Sequence, residues 1–319
     1  MIIYIKKMKI SFITPIYNEE IYLSKLFRNI EKNYYNYDFE WIFIDDWSTD
    51  NSYELVSSFL KDKDKIKLIK NEGKGKIDAI NYGFKHAKGE YIKLVGGDDE
   101  IDLRIIDLIK EEENNKISYV HNAKIIDTSN KKLGNYIPPY QLFNYSKDDY
   151  FLENISCPSW CWIFPRKEAE KFFPIPRCEY EDLYLSFCIK KFTKIQYLND
   201  YFYFYRQNPG QTFGNVLLFN NKIGLFRSKR SLKSLSIIKN CKIFNIREKY
   251  LLSKSRQYYI FYIKKKNILQ ILLSQLPSQR KMKLIIFRYL FPIYGYIQKI
   301  KYSLDQVYHE YINKNHIKK

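Results

Sequence analysis

Along the first 120 residues the apolar positions switch repeatedly between two periods. "KISFITP" (9 to 15), "EWIFID" (40 to 45), "KIKLIK" (65 to 70), "EYIKLV" (90 to 95) and "ISYVHN" (117 to 122) are short β-type runs bounded by turn or charged residues, the pattern of strands. Between them Leu23, Leu26, Phe27 and Ile30 fall at helical spacing, as do Leu55, Val56, Phe59 and Leu60, and "IDAINYGFKHA" (77 to 87) runs toward a stop at Gly89. Strand, helix, strand, helix predicts an α/β fold with a mixed, mostly parallel sheet covered by helices on both faces. In such sheets ligands bind beyond the carboxyl ends of the strands. "TPIYNEE", "DDWSTDNS", "NEGKG" and "GGDDE" follow the first four strands in turn, so all four polar clusters are expected on one edge.

Farther along, the pattern loosens. From about 130 to 158 the chain reads as irregular, punctuated by Pro138, Pro139 and Pro158. "SWCWIFP" (159 to 165), "EDLYLSFCIKK" (181 to 191) and "KIQYLNDYFYFYR" (194 to 206) then predict strand, helix, strand. Past 216 the periodicity is helical, and apolar and cationic positions mix. Two parts are expected: 1 to 215 as the α/β body and 216 to 319 as a basic, mainly helical region.

Charge sharpens that division. The net charge of +19 is unevenly placed: residues 216 to 319 hold 23 Lys plus Arg against Glu248, Asp305 and Glu310, and the preceding body is nearly neutral, with 31 bases against 32 acids. A basic, aromatic region of this kind fits docking on an anionic membrane surface. Its longest uncharged apolar run, "YLFPIYGYI" (289 to 297), is far short of the ~20 residues that cross a bilayer. Lys6, Lys7 and Lys9 interrupt the apolar N-terminal stretch, which fits no signal peptide. The expected location is therefore the cytoplasm, peripheral to the inner face of the cell membrane. Five cysteines without a C-x-x-C pair read as reduced thiols, against a zinc ribbon.

The chemistry lies in the acids. Asp98 and Asp99 in "LVGGDDE" fit either a solvated turn, since Gly and Asp are common turn formers, or a site for Mg²⁺ or Mn²⁺, hard cations that take carboxylate oxygens and leave positions open for phosphate. Gly96 and Gly97 would let the backbone approach a ligand closely. A carboxylate after the second strand, Asp45 or Asp46, can accept a hydrogen bond from a base or ribose, and Tyr17 can cover a flat ring. The chain contains neither G-x-x-x-x-G-K-[ST] nor G-x-G-x-x-G after the first strand, which argues against a P-loop nucleotidase and a dinucleotide dehydrogenase.

"ISFITPIYNEE", "FIDDWSTDNS", "NEGKGKIDAINYGFKHAKGEYIKLVGGDDE" and "EYEDLYLSF" together resemble the ordered motifs of family 2 glycosyltransferases, inverting enzymes of the GT-A fold, over roughly residues 8 to 210. The resemblance implies transfer of a sugar from a nucleotide-diphosphate sugar to a glycan or lipid-linked acceptor, in bacterial surface polysaccharide synthesis, with Mn²⁺ or Mg²⁺ as cofactor. It assigns Thr14, Pro15, Tyr17 and Glu19 to the first nucleotide-binding segment, Asp46 to the base, and Gly73 to the donor-binding turn. It makes Asp99 the direct metal ligand, Asp98 the ribose contact beside it, and Asp182 the general base, with Glu181 the alternative one position away. By residue type alone Asp182 equally fits an acid stabilised at a helix N-terminus.

Two positions depart from the family pattern. Gly96 stands where many relatives carry another acid, and Asn208 stands where the segment "YRQNPGQT" would have histidine, which puts a metal or phosphate contact in doubt. Arg206 fits a diphosphate contact or a structural ion pair. Trp160 in "PSWCWIF" fits an acceptor-stacking residue or the core. The competing reading is a catalytically degenerate body that binds polysaccharide or nucleic acid through its Lys, Arg and Tyr residues. The intact Asp46, Asp98, Asp99 and Asp182 set argues against it, and no nucleic-acid partner is expected.

Overall fold

The structure is a computed structural model describing residues 10–109, 116–139, 141–208, 221–263, 268–274, 276 and 278–289. At its centre, β1 (Ile10–Ile16) lies between β2 (Phe39–Asp45) and β4 (Tyr91–Leu94), parallel to both, and β3 (Ile66–Lys70) pairs parallel with the outer side of β2. Every residue of β2 is buried, as are six of the seven in β1. Strands covered on both faces read as continuous apolar runs rather than alternating ones. The acid within this run, Glu40, is satisfied internally: it accepts hydrogen bonds from Ser11 Oγ (2.7 Å) and from Lys67 Nζ (2.9 Å). Helices α1 (Glu20–Asn33), α2 (Ser52–Phe59) and α3 (Lys76–His86) make the crossovers, as the helical spacing predicts. The aromatic core is built from Phe12, stacked on Trp41 at 4.5 Å, and from Phe27, stacked on Phe59 at 4.0 Å.

The sheet then becomes mixed. Its order is β3-β2-β1-β4-β8-β6-β9-β5, with β7 paired to β6. β5 (Glu100–Ile101) is antiparallel to β9 (Lys194–Arg206), so the acidic turn after β4 leads straight into a short strand. β6 (Ile117–Ile126) runs past Asn122, the end expected from its apolar run, because it pairs parallel with β9 along its length. β8 (Trp162–Pro165) is shorter than "SWCWIFP" predicts: Ser159–Cys161 form a 3-10 turn closed by the Cys161 N–H on Pro158 O.

The stretch expected to be irregular is more ordered than its prolines indicate. It contains β7 (Lys132–Tyr136), α4 (Gln141–Asn144) and α5 (Lys147–Glu153). Ser146 caps α5 by accepting from Asp149 N, a Ser-x-x-Asp arrangement that satisfies an otherwise orphan helix donor. After β8 come α6 (Arg166–Ala169) and α7 (Glu181–Phe192); beyond β9 come α8 (Asn221–Ile238), α9 (Ile246–Ile263), α10 (Ile268–Leu272) and α11 (Ser278–Tyr289).

The chain forms two compact units. The described residues of Met1–Pro138, Pro158–Ile175 and Cys188–Thr212 make the first, which holds the sheet; those of Pro139–Cys157, Pro176–Phe187 and Phe213–Lys319 make the second. In the second unit Ile271, Leu276 and Leu284 form a small core against Tyr258 and Phe261, and the buried Arg280 pairs with Glu153 at 3.2 Å. No helix among the described residues is long and apolar enough to cross a membrane.

Candidate active site

The loops at the carboxyl ends of β1, β2, β3 and β4 are stitched together by hydrogen bonds. Asp46 N donates to Ile16 O (2.8 Å), Asn71 N to Asp45 O (2.8 Å) and Val95 N to Ile13 O (3.0 Å). After β1, Asn18 occupies the left-handed region (φ 57), which Asn tolerates, and its Oδ1 accepts from Thr49 N at 2.8 Å. Glu19 N donates to Ser52 Oγ at 2.7 Å. The predicted convergence of these segments on one edge is what the structure has.

Asp46 sits between two loops. Its Oδ1 accepts from Asn71 Nδ2 (2.7 Å), and both carboxylate oxygens accept from Gly75 N (2.8 and 2.9 Å). Gly75 has φ 93, a conformation open to glycine and strained for other residues. Trp47, next to Asp46, also lies in the left-handed region (φ 64), an uncommon place for a bulky residue. Its indole N–H donates to Gly73 O at 3.1 Å and Lys70 Nζ stands 5.1 Å from its ring centroid, so Gly73 is held beside Asp46. Asp45 is buried and its Oδ1 accepts from Ser48 N, a structural turn contact.

Glu19, Asp98 and Asp99 crowd around the Gly96–Gly97 turn. A Cβ on Gly96 would lie 2.6 Å from Asp99 Oδ2 and 2.9 Å from Asp98 Oδ1, and one on Gly97 would lie 3.3 Å from Glu19 Cδ. In this chain the Asp98 and Asp99 carboxylates fold back over the space that a side chain at 96 would need. Burial, reinforced by the charges of Asp98, Asp99 and Asp50 and opposed by Lys76, pushes the Glu19 carboxyl up to about 9. Burial and the Asp98 charge likewise raise Asp99.

Two of the candidate residues are fully buried. Thr14, expected to touch the nucleotide, is fully buried, and its hydroxyl accepts from Trp41 Nε1 at 2.9 Å; it holds β1 to β2. Arg206, open to either role, is fully buried in a structural clamp. Its guanidinium donates to Asp98 O (2.6 Å), Asp127 O (2.8 Å) and Glu100 Oε1 (2.8 Å), and its backbone N–H to Asp99 Oδ1 (2.7 Å). Asn208 Nδ2 donates to Asp98 Oδ2 at 2.7 Å, so the residue in the histidine position meets the acidic motif directly.

Tyr17, just past β1, is 57% exposed, and Pro15, within β1, is half-buried. Trp160 is half-buried and stacked on Tyr203 (5.0 Å) and Tyr205 (4.9 Å). Asp182 and Glu181 are buried in the first turn of α7 and belong to the second unit. Residues 209 to 212 of "YRQNPGQT" and the run 290 to 297 of "YLFPIYGYI" lie outside the described residues.

The first-unit acids fit a hard divalent cation. Their donors are carboxylate oxygens, Glu19 Oε2 is buried without a hydrogen-bond partner, and the three acids share one small space that disfavours their simultaneous charge. Among the described residues no group of three or more His, Cys, Asp or Glu is placed to hold a metal ion by itself; Mg²⁺-type sites commonly use one or two carboxylates and complete their shell with substrate phosphates and water.

Comparison with known proteins bears on the family and the fold. Over 141 residues the chain is 33% identical to glycosyltransferase GlyG of Streptococcus pneumoniae, covering 44% of this chain and 41% of that one. It is 28% identical over 121 residues to the GalNAc(5)-diNAcBac-PP-undecaprenol beta-1,3-glucosyltransferase of Campylobacter jejuni, covering 37% and 39%. These alignments thus span less than half the length of either relative. The fold is that of S. aureus TarS 1-349 in complex with UDP-GlcNAc (TM-score 0.56, 19% identity, 87% of this chain and 80% of that one). It is also that of the Pyrobaculum calidifontis mannosyltransferase PcManGT in complex with GDP-Man and Mn2+ (TM-score 0.52, 14% identity, 94% and 86%). This is the GT-A architecture expected from the motifs. The family model for glycosyl transferase family 2 matches residues 11–173, from β1 through the acidic turn to β8, and on that match over just more than half its length the chain belongs to glycosyl transferase family 2.

Proposed function

We propose that this chain transfers a sugar, with inversion, from a nucleotide-diphosphate sugar to a glycan or lipid-linked acceptor in the synthesis of a bacterial surface polysaccharide. The observation that carries the reading is the crowding of Glu19, Asp98 and Asp99 at the strand ends beside an Asp46 already aimed by Asn71 and Gly75. Tyr17 covers the base, Asp46 accepts a hydrogen bond from it, and the Gly73 turn lies against the donor. Asp98 and Asp99 hold the cation, with Asp98 also within reach of the ribose. A bound Mg²⁺ or Mn²⁺ would stabilise the charge that develops on the departing diphosphate.

Asp182 takes the proton of the acceptor hydroxyl as its oxygen attacks the anomeric carbon. The bond from that carbon to the diphosphate oxygen breaks, and its electron pair leaves with the nucleoside diphosphate. The expected measurement is release of nucleoside diphosphate from one nucleotide sugar in the presence of Mn²⁺. The same sugar should raise the unfolding temperature, as a ligand that binds only the folded state must. Binding of glycan without any such release, across a panel of nucleotide sugars, would turn the reading into that of a degenerate binder.

A lipid-linked acceptor, of the kind the name of the Campylobacter relative records, places the reaction at a membrane surface. The basic excess after 216 supports docking there, each nearby Lys or Arg contributing ~1 kcal/mol, and Leu269, Leu272 and Leu273 at α10 are exposed. The protein is expected to sediment with phosphatidylglycerol vesicles at low salt and to be released at high salt. Leu272→Ser with Leu273→Ser weakens that binding; equal sedimentation with neutral vesicles removes the electrostatic argument.

A further inference from the structure

We propose that Tyr203 is the positioning residue of the Gly96–Asp99 turn, set in place by the buried Lys93 and His121 and by the half-buried Trp160. This rests on the reading of Asp98 and Asp99 as the cation-holding pair. Tyr203 is fully buried on β9. Its hydroxyl donates to Asp99 Oδ2 at 2.6 Å and accepts from Gly96 N at 2.9 Å, while Asp99 N donates to Gly96 O at 3.2 Å. The three contacts make a closed ring. With Arg206 N on Oδ1, both oxygens of Asp99 are oriented by groups of β9, and hydrogen-bonded second partners of this kind fix the direction and basicity of metal-binding carboxylates.

The tyrosine ring is itself held. Trp160 stacks on it, nearly parallel at 6°. Lys93 Nζ lies 4.9 Å from its centroid, the geometry of a cation–π contact. Lys93, in the middle of buried β4, is anchored by His121 Nε2 at 2.7 Å and by the carbonyl of Trp160. His121 Nδ1–H donates to Asn122 O at 2.8 Å, which leaves Nε2 as the acceptor for the ammonium. Burial, and then the Lys93 charge, hold the His121 imidazole well below its ordinary value, in keeping with a neutral acceptor. A buried ammonium is costly unless its contacts are well made. Here it stands behind the one ring whose hydroxyl ties the acidic turn to β9.

The test is direct Mn²⁺ binding to the full chain, followed by the paramagnetic resonance of free Mn²⁺ and by the Mn²⁺-dependent rise in unfolding temperature. Tyr203→Phe keeps the ring, its stacking and its cation, and removes only the hydroxyl. Its Mn²⁺ affinity is expected to fall about 10–100-fold, while the metal-free protein stays folded with an unfolding temperature lower by a few degrees, since Gly96 N and Asp99 Oδ2 lose a buried partner. Lys93→Met is expected to weaken binding in the same direction by a smaller factor, and provides the measurement if Tyr203→Phe is not recovered folded. Wild-type affinity in folded Tyr203→Phe, with Asp99→Asn losing the metal, overturns the positioning role and leaves the carboxylate reading standing. Equal Mn²⁺ binding by Asp99→Asn and wild type overturns both.

Discussion

Turnover in the Asp182→Asn protein is expected to fall by about 10²–10⁴-fold, the usual contribution of a positioned general base. The amide is nearly isosteric with the carboxylate but cannot take the acceptor's proton, so the loss should appear in kcat while the affinity for the nucleotide sugar is kept. A purely structural role predicts a different result. Asp182 sits in the first turn of α7 beside Glu181, where a negative charge is stabilised by the helix N-terminus by about 0.3–1 kcal/mol. Losing that alone shifts the unfolding temperature by a few degrees and leaves kcat nearly intact. The two outcomes separate in one experiment, nucleoside diphosphate release with saturating acceptor. Activity within about threefold of wild type would falsify the assignment, and the same loss in Glu181→Gln instead would move it one residue back.

The sheet was legible because its strands are buried on both faces. "EWIFID" and "ISFITPI" could be little else once turn residues bounded them, and β1 and β2 follow those runs closely. Edge and mixed strands were less legible. β6 continues past Asn122 because of its partner β9, which no local pattern announces. α4 and α5 lie within a proline-bounded stretch, where the one local helix signal is the Ser146 cap of α5. The acids at the strand ends were readable because Asp and Glu beside glycine have few structural reasons to recur at every strand exit. What held them was not. Tyr203 is one of five aromatics in "YFYFY", and only its 2.6 Å contact to Asp99 sets it apart. Lys93 gave a faint signal as a charge inside the buried run "YIKLV". The availability of a side chain is a tertiary fact, and no local pattern announced that Thr14 and Arg206 would be fully buried.

The cation-free protein is expected to lose stability as pH rises, and Glu19→Gln should remove much of that loss. In the fold the Glu19 carboxyl is pushed from 4.5 up to about 9, first by burial and then by the charges of Asp98, Asp99 and Asp50. Below about pH 4.5 the carboxyl is protonated in both folded and unfolded chains, and the site costs nothing. Between about 4.5 and 9 the unfolded chain has released this proton while the folded one retains it, so folding takes up a proton and stability falls with pH. Above about 9 both are ionised and the slope ends. Asp99, also raised, adds to the same slope.

Because Glu19 is only partly buried and solvent screens its neighbours' charges, a penalty of about 2 kcal/mol by pH 9 is the expected scale. That corresponds to a difference of about 4–8 °C in unfolding temperature between wild type and Glu19→Gln at pH 9, shrinking toward zero near pH 5. A divalent cation inverts the balance, since it favours the ionised carboxylates: Mn²⁺ should flatten the pH dependence of wild type and release protons on binding. Scanning unfolding from pH 5 to 9, with chelator and with Mn²⁺, reads both effects. Parallel curves for wild type and Glu19→Gln in chelator would mean that the three carboxyls do not repel one another in the fold. The physical reason to place a cation among them would then be gone.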